Sequence, residues 1–522
     1  MARTIRLLVV AVLIPSLLLV GCAPSLQHGL LWPNQLHEVS EKSTYLNAHL
    51  RDGSFIALVA WTVDPAGRTV TGVGQRLDEN RRLVASGSLS FPVDSVALFE
   101  SNSTEGMPPA MKALTVILVS AAVVVGMGLL IIAIACVSNP KCFGSCPTFY
   151  VTDGEKPALQ AEGFSASVAP ALEATDVDAL YRARPRGRDL EVTMKNEALE
   201  THVVRFVHVL AAPRAEGTRV FATPEGAFWQ ADRLRSPLRA TGAEGDCGAA
   251  LAAFDGTERT SAVDSTDLAA RETVDLEFDA GAGEDPGLVI ASRQTLLTTY
   301  LFYETLAAMG SSAGRWIAAL GRGDAGARDR TSALGRELGG IEVLVPDGDG
   351  GWSRVCELNE TGPLATDVKL VPLPKPGPGP VHIRLRMTRG LFRLDWAALA
   401  RLDRRVEPVR LEPVAVRRGD TLDAGSRQAL LDPARVLVTQ PGDVFTLAYR
   451  LPGEAAGYEL FLESRGYYLE WMREGWIAQE DPGRLMTMML APRQALRDLA
   501  PAYAREQAAL EDWFWKSRYA HP

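Results

Sequence analysis

Apolar and polar residues alternate along much of this chain, and the alternation predicts strands. In His202-Val203-Val204-Arg205-Phe206-Val207-His208, even and odd positions point to opposite faces. Strand-like runs also cover 148–151, 189–194, 272–278, 287–292, 341–345, 381–387, 406–416, 443–450 and 458–471. Nearer the N-terminus, runs at 45–50, 54–63, 68–77 and 83–91 are separated by Asp52-Gly53, Asp64-Pro65-Ala66-Gly67 and Asp78-Glu79-Asn80. Gly supplies positive φ and Pro presets φ in such turns. These four runs predict a β-meander or small barrel over 43–105, with Gly72, Gly74 and Gly87 at bulges or sharp bends.

Helical patterning is confined to two regions. Residues 294–309 are apolar on most faces, and 313–320 with 327–338 complete a hairpin that Gly339-Gly340 ends. In the tail, Asp481-Pro482 and Ala500-Pro501 read as helix starts, because Pro suits the first helical position, and 502–518 is the last element. The run Lys375-Pro376-Gly377-Pro378-Gly379-Pro380 is stiff and turn-rich, and it reads as a subdomain boundary. The predicted fold is mainly β with α insertions. A large sandwich-like domain over 140–375 carries the helical hairpin, a second β-rich subdomain covers 376–480, and a helical segment covers 481–522.

Two apolar stretches break the alternation. Residues 7–20 follow Arg3 and Arg6 and lead into Leu19-Val20-Gly21-Cys22; Pro15 interrupts them, and they fall short of the roughly 20 residues a span requires. A basic start, an apolar middle and a small residue before cysteine make a lipoprotein signal over 1–21, with acyl chains (palmitate among them) expected on Cys22 and a linker over 22–42. The second stretch, 113–137, has no charged side chain and as a helix is about 37 Å long, enough to cross a bilayer. Gly126 and Gly128 give it a small-residue patch where another helix can approach. The cysteine places 23–112 outside the cytoplasm. Lys112 and Lys141 flank the second stretch evenly, so the side taken by the larger domain stays open.

Length and charge narrow the functional classes. A chain of 522 residues exceeds one hydrophobic core, and 47% hydrophobic with 22% charged residues is an ordinary globular composition. The net charge of -9, with no basic block, excludes nucleic acid as an expected partner.

Few residues suggest chemistry. In an exported domain Cys142 with Cys146, and Cys247 with Cys356, are the natural disulfide pairs, although four cysteines allow three connectivities. A zinc half-site at Cys142-x3-Cys146 lacks a second ligand pair. Gly310-Ser311-Ser312-Ala313-Gly314 matches the G-x-S-x-G of serine hydrolases, which would make Ser312 the nucleophile and His382 or His208 the base. That pattern needs a strand before the serine, and a helix is expected here. Asp347-Gly348-Asp349-Gly350-Gly351 starts like a calcium loop but places Gly351, Trp352 and Leu358 where ligands and the invariant Gly belong, so a hairpin turn is expected. His202 and His208 are about 20 Å apart on an extended strand, too far to share a metal, and read as surface or edge residues. Tyr467, Tyr468, Trp471 and Trp476, with Trp513, Phe514 and Trp515, have the apolar faces and polar tips of a carbohydrate or partner platform, but core packing is expected, with Tyr467, Leu469 and Trp471 on one buried face and Tyr468 and Glu470 pointing elsewhere. No cofactor or metal site is expected.

The block Asn139-Pro140-Lys141-Cys142-Phe143-Gly144-Ser145-Cys146-Pro147-Thr148-Phe149-Tyr150, then Asp153-Gly154-Glu155 and Ala161-Glu162-Gly163-Phe164, resembles a family of uncharacterised bacterial envelope proteins. In these an apolar segment precedes a Ser-Cys-Pro-x-x-Tyr block and an Asp-Gly turn. The runs 293–303 and 463–471 are similar too, and the resemblance covers most of 44–519. It implies an anchored envelope protein and carries no activity. The expectation is a membrane-anchored, non-catalytic binding or structural lipoprotein, held through Cys22 and 113–137 and contacting an envelope protein or glycan. A hydrolase acting through Ser312 is the alternative, and a transmembrane coupling protein a minor one.

Overall fold

The computed structural model describes most of residues 27–103, 146–310, 333–470 and 479–517. The chain divides into two compact units, Met1–Pro140 and Lys141–Pro522. Both are built mainly from β-strands, as the alternation predicts.

In the first unit Gln27–Leu31 (β1), Leu46–Leu50 (β2), Phe55–Val63 (β3), Thr69–Leu77 (β4), Leu83–Pro92 (β5) and Val96–Ser103 (β6) form one antiparallel sheet in the order β1-β6-β2-β3-β4-β5. The strands β2 to β5 are a meander in an open sheet. Asp64 holds one of its turns, its Oδ1 accepting from Arg68 N at 2.6 Å and Thr69 N at 3.0 Å. Leu46, Ile56, Leu58, Val70, Val96 and Phe99 pack together as its core. A Cβ on Gly74 would lie 1.8 Å from the Ala57 carbonyl oxygen, so no other residue fits this close strand approach.

The second unit is layered. Its front sheet orders as Thr421–Leu422 (β25), Ala415–Arg418 (β24), Val444–Arg450 (β27), Asp189–Lys195 (β10), Thr148–Asp153 (β7) and Lys156–Glu162 (β8). The middle sheet orders as Val409–Leu411 (β23), Glu200–Pro213 (β11), Tyr458–Glu470 (β28) and Ala174–Ala179 (β9), with Leu437–Thr439 (β26) also on β11. Behind it Arg219–Ala222 (β12), Phe228–Arg235 (β13), Phe392–Val406 (β22), Pro286–Gln294 (β17) and Asp367–Pro372 (β20) close a barrel. The back sheet orders as Gly245–Asp246 (β15), Arg239–Gly242 (β14), Arg271–Phe278 (β16), Val381–Thr388 (β21), Ile341–Pro346 (β18) and Trp352–Leu358 (β19).

Alternation along β11 and β28 explains the layering. Val207, Val209, Leu460 and Leu462 pack against Phe149, Val192, Phe445 and Leu447 of the front sheet. Their neighbours Leu210, Ala212 and Phe461 pack against Val220, Phe221, Val289 and Leu370 of the barrel. A sheet covered on both faces needs apolar residues at odd and even positions alike, which is why β11 gives up its alternation in the apolar stretch Val209-Leu210-Ala211-Ala212. On the far side of the barrel, Leu288, Ile290 and Leu399 meet Val274, Leu276, Ile341 and Ile383 of the back sheet.

Six α-helices lie among the described residues: Gly248–Leu251 (α1), Leu297–Met309 (α2), Ala333–Leu338 (α3), Ala424–Leu431 (α4), Pro482–Leu490 (α5) and Pro492–Ser517 (α6). Asp423 caps α4 by accepting from Ser426 N at 2.8 Å, and Asp481 caps α5 by accepting from Arg484 N at 3.0 Å. Leu297, Tyr300 and Leu301 of α2 share a core with Leu496, Leu499 and Tyr503 of α6.

Three expectations are corrected. Pro501 lies inside α6 instead of starting a helix; burial of Leu496, Leu499, Ala500 and Tyr503 offsets the lost backbone donor. The Pro-Gly run ending at Pro380 is no boundary, since β20 before it pairs with β17, while β21 and β22 after it pair with β16, β18, β17 and β13. Tyr467, expected on the buried face, is only half-buried, while Tyr468 and Glu470, expected to point elsewhere, are buried like Leu469, because β28 is covered on both sides. Trp471, Trp476 and the proposed span 113–137 lie outside the described residues, and no described helix is long and apolar enough to cross a membrane. Trp513, Phe514 and Trp515 fall on α6. The Asp347 stretch is a hairpin turn, with Asp347 Oδ1 accepting from Asp349 N at 2.9 Å and Gly351 N at 2.8 Å.

Candidate functional site

The strand β9 has the sequence Ala174-Thr175-Asp176-Val177-Asp178-Ala179 and lies at the edge of the middle sheet. Carboxylates two residues apart on a strand share one side, so Asp176 and Asp178 face the same way. On β20, Asp367 and Lys369 share a side by the same rule, and Lys369 lies opposite Ala222 where β12 and β20 close the barrel. These two pairs, nearly two hundred residues apart in the chain, stand in the wall of one cavity of about 790 Å³. Its apolar lining includes Leu210, Phe228 and Val406, and its volume lies within the usual range for small-molecule sites.

Lys369 makes two close polar contacts. Its Nζ lies 2.7 Å from Asp367 Oδ2 and donates to the Val177 carbonyl oxygen at 2.7 Å. Burial alone would lower its pKa, but Asp367, Asp176 and Asp178 outweigh burial and raise it. Asp367 Oδ1 accepts from Val368 N at 2.8 Å. Asp176 accepts from Val177 N at 2.9 Å and Phe164 N at 3.2 Å. The second bond holds Phe164 at φ 42, a left-handed conformation unfavourable for a bulky residue.

Asp178 differs from its neighbours. It is 3% exposed, and its Oδ2 has no hydrogen-bond partner among the described residues. Burial first, then the carboxyls of Asp176 and Asp367, push its pKa well above the carboxylate range, and Lys369 only partly opposes them. Burial also raises Asp176, with Asp367 adding and Lys369 opposing. A buried acid without a partner is an interaction left open.

Toward the β23 side of the same cavity, Glu463 of β28 takes His208 Nδ1 at 3.1 Å and Arg410 Nη2 at 2.8 Å. Burial works to raise Glu463, but these two partners overcome it and hold the carboxyl below its usual range. His202 is fully buried, its Nε2 2.8 Å from Glu200 Oε1. Neither histidine is therefore a surface or edge residue, since β11 is an inner strand between β23 and β28.

The other sequence candidates lie apart from this cavity or outside the described residues. Ser312, Cys142 and Cys22 lie outside the described residues. Ahead of Ser312 stands α2, ended by Gly310 at φ +49, where a nucleophile elbow would need a strand. The proposed bases are separated, with His382 exposed on β21 of the back sheet and His208 tied to Glu463. The expected Cys247–Cys356 disulfide is absent, and both are free thiols. Cys247 follows β15 at one edge of the back sheet and Cys356 belongs to β19 at the other, with four strands between them. Cys146 is buried. No metal-binding group of His, Cys, Asp or Glu is found among the described residues.

Sequence reasoning missed Asp176, Asp178, Asp367 and Lys369. The available signal was the pair of short alternating runs Asp-Val-Asp and Asp-Val-Lys, which place charge on one side of a strand and valine on the other.

No protein-family model and no curated protein matches the chain. Among solved structures it has a weak similarity to "Crystal Structure of Tripeptidyl Peptidase 2 (TPP II)", at 8% identity and a TM-score of 0.13. The match covers 95% of this chain and 33% of that one, and a score so low carries no argument about fold or activity.

Proposed function

We propose that this chain is a membrane-anchored lipoprotein of the bacterial cell envelope whose layered β body binds a small polar ligand and catalyses no reaction. Acylated Cys22 supplies the anchor, and residues 113–137 a membrane-spanning helix. The observation that carries the binding reading is Asp178, a buried acid with an unpartnered oxygen in the wall of a cavity large enough for a ligand. The two histidines considered as a base stand apart, His382 exposed on the back sheet and His208 bound to Glu463, and this favours binding over hydrolysis.

Two measurements test the reading. Metabolic labelling with a palmitate analogue is expected to mark the wild-type chain and to be lost in Cys22→Ser; equal labelling contradicts the anchor. Thermal unfolding of the full chain in mild detergent, against a panel of polyols, sugars, amines and organic anions, is expected to show a rise in Tm with at least one class. That rise is expected to vanish in Asp178→Asn. No shift with any class contradicts a ligand site.

A further inference from the structure

The charges in the cavity do not balance. Its lining carries seven acidic side chains and three basic ones. Two of the basic groups are already engaged, Lys369 by Asp367 and the Val177 carbonyl, and Arg410 by Glu463. Around Lys369 three carboxyls, Asp176, Asp178 and Asp367, face a single ammonium. The unpartnered oxygen belongs to Asp178, the most deeply buried of the three.

We propose that the cavity takes a small aliphatic amine whose ammonium group sits at Asp178 beside Asp176, with its hydrocarbon part against Leu210, Phe228 and Val406. This rests on the cavity being a ligand site. An ammonium fits better than a metal ion, because no described set of acidic, His or Cys side chains converges with metal-ligand geometry. An ammonium offers three donors and accepts looser placement of its partners. It fits better than a neutral polyol because it compensates the surplus acid.

Proton balance follows from the chemistry. Where Asp178 still holds its proton, arrival of the protonated amine converts the carboxylic acid to carboxylate. One proton passes to the buffer, the ligand keeps its own, and no covalent bond changes in the ligand.

The test is calorimetric titration of the full chain in detergent micelles with putrescine, butanediol and calcium, in two buffers of different ionisation heat. Putrescine is expected to bind the wild type with proton release on the acidic side of neutral. Asp178→Asn, which has the shape of the protonated acid, is expected to weaken binding by about tenfold or more and to abolish the release. Native near-UV circular dichroism is the folding control for the variant. Binding of butanediol or calcium instead, lost in the variant, overturns the amine assignment and leaves a ligand site in place. Putrescine binding that is equal in both proteins overturns the assignment as well. Absence of binding by every probe overturns it too, and a silent unfolding panel then removes the ligand-site reading with it.

Discussion

Lys369 and Asp367 form an ion pair within one strand, Nζ 2.7 Å from Oδ2, and the same ammonium donates to the Val177 carbonyl oxygen across the gap to β9. With the lysine committed to β20 and to the backbone, Asp178 Oδ2 has no hydrogen-bond partner among the described residues. It also ties the barrel to the edge of the middle sheet.

Replacing the lysine therefore damages more than charge. Lys369→Met leaves Asp367, only 5% exposed, without its cation and removes the bond to β9. A loss of roughly 3–5 kcal/mol is expected, as for other broken buried pairs, measured by denaturant unfolding of the full chain. A loss below ~1 kcal/mol would mean that the pair is solvated and contributes little.

Asp178→Asn is expected to act in the opposite direction. A carboxyl whose folded pKa is raised favours the folded state only while protonated, so its ionisation lowers stability as pH rises from the unfolded value through the folded one. Asparagine removes that penalty. The variant is expected to unfold at a higher Tm than wild type at neutral pH, with the difference shrinking toward pH values below the ordinary aspartate range. A difference that grows on acidification would contradict the placement of Asp178. Glu463 carries the reverse sign: its folded pKa is depressed, so its contribution is present above the unfolded glutamate value and is lost as pH falls through the folded one.

A second buried pair supports the back sheet. Arg259, 4% exposed, donates to Glu272 at 2.9 Å and 2.8 Å and to Glu244 at 2.6 Å and 2.9 Å. Arg259→Met strands the Glu272 carboxylate and is expected to cost about 3–5 kcal/mol, whereas the double variant with Glu272→Leu is expected to recover much of the loss. Equal losses in the single and double variants would show that the arginine acts by packing alone.

Cys247 and Cys356 are expected to carry free thiols in the purified protein. Alkylation of denatured, unreduced chain followed by peptide mass spectrometry is expected to find both modified, and a linked peptide pair would contradict the edge-to-edge placement. In the folded state both are expected to react slowly, since burial raises each thiol's pKa.

The sequence made the strands legible wherever one face is buried and the other wet, as in β10 and β16, or where both faces are covered, as in β11. The strand β9 escaped notice because Ala174-Thr175-Asp176-Val177-Asp178-Ala179 has only one large apolar residue, at an edge where burial comes from another layer. The closing of the barrel by β12 and β20 also left no local trace, being a pairing between distant segments through Ala222 and Lys369. The site depends on both, so its residues could be seen in the sequence while their meeting could not. The Pro-Gly run ending at Pro380 misled for a related reason: stiffness marks a turn, while only the pairing of β21 and β22 decides which domain the turn belongs to.

The central claim is that a ligand enters at Asp178, and hydrogen–deuterium exchange locates that event directly. Full chain in mild detergent is compared with and without a compound that raises Tm in the unfolding panel. Slower exchange in peptides covering Ala174–Ala179 and Asp367–Pro372, lost in Asp178→Asn, is the predicted result. Protection confined to other segments, or unchanged by the substitution, would contradict it.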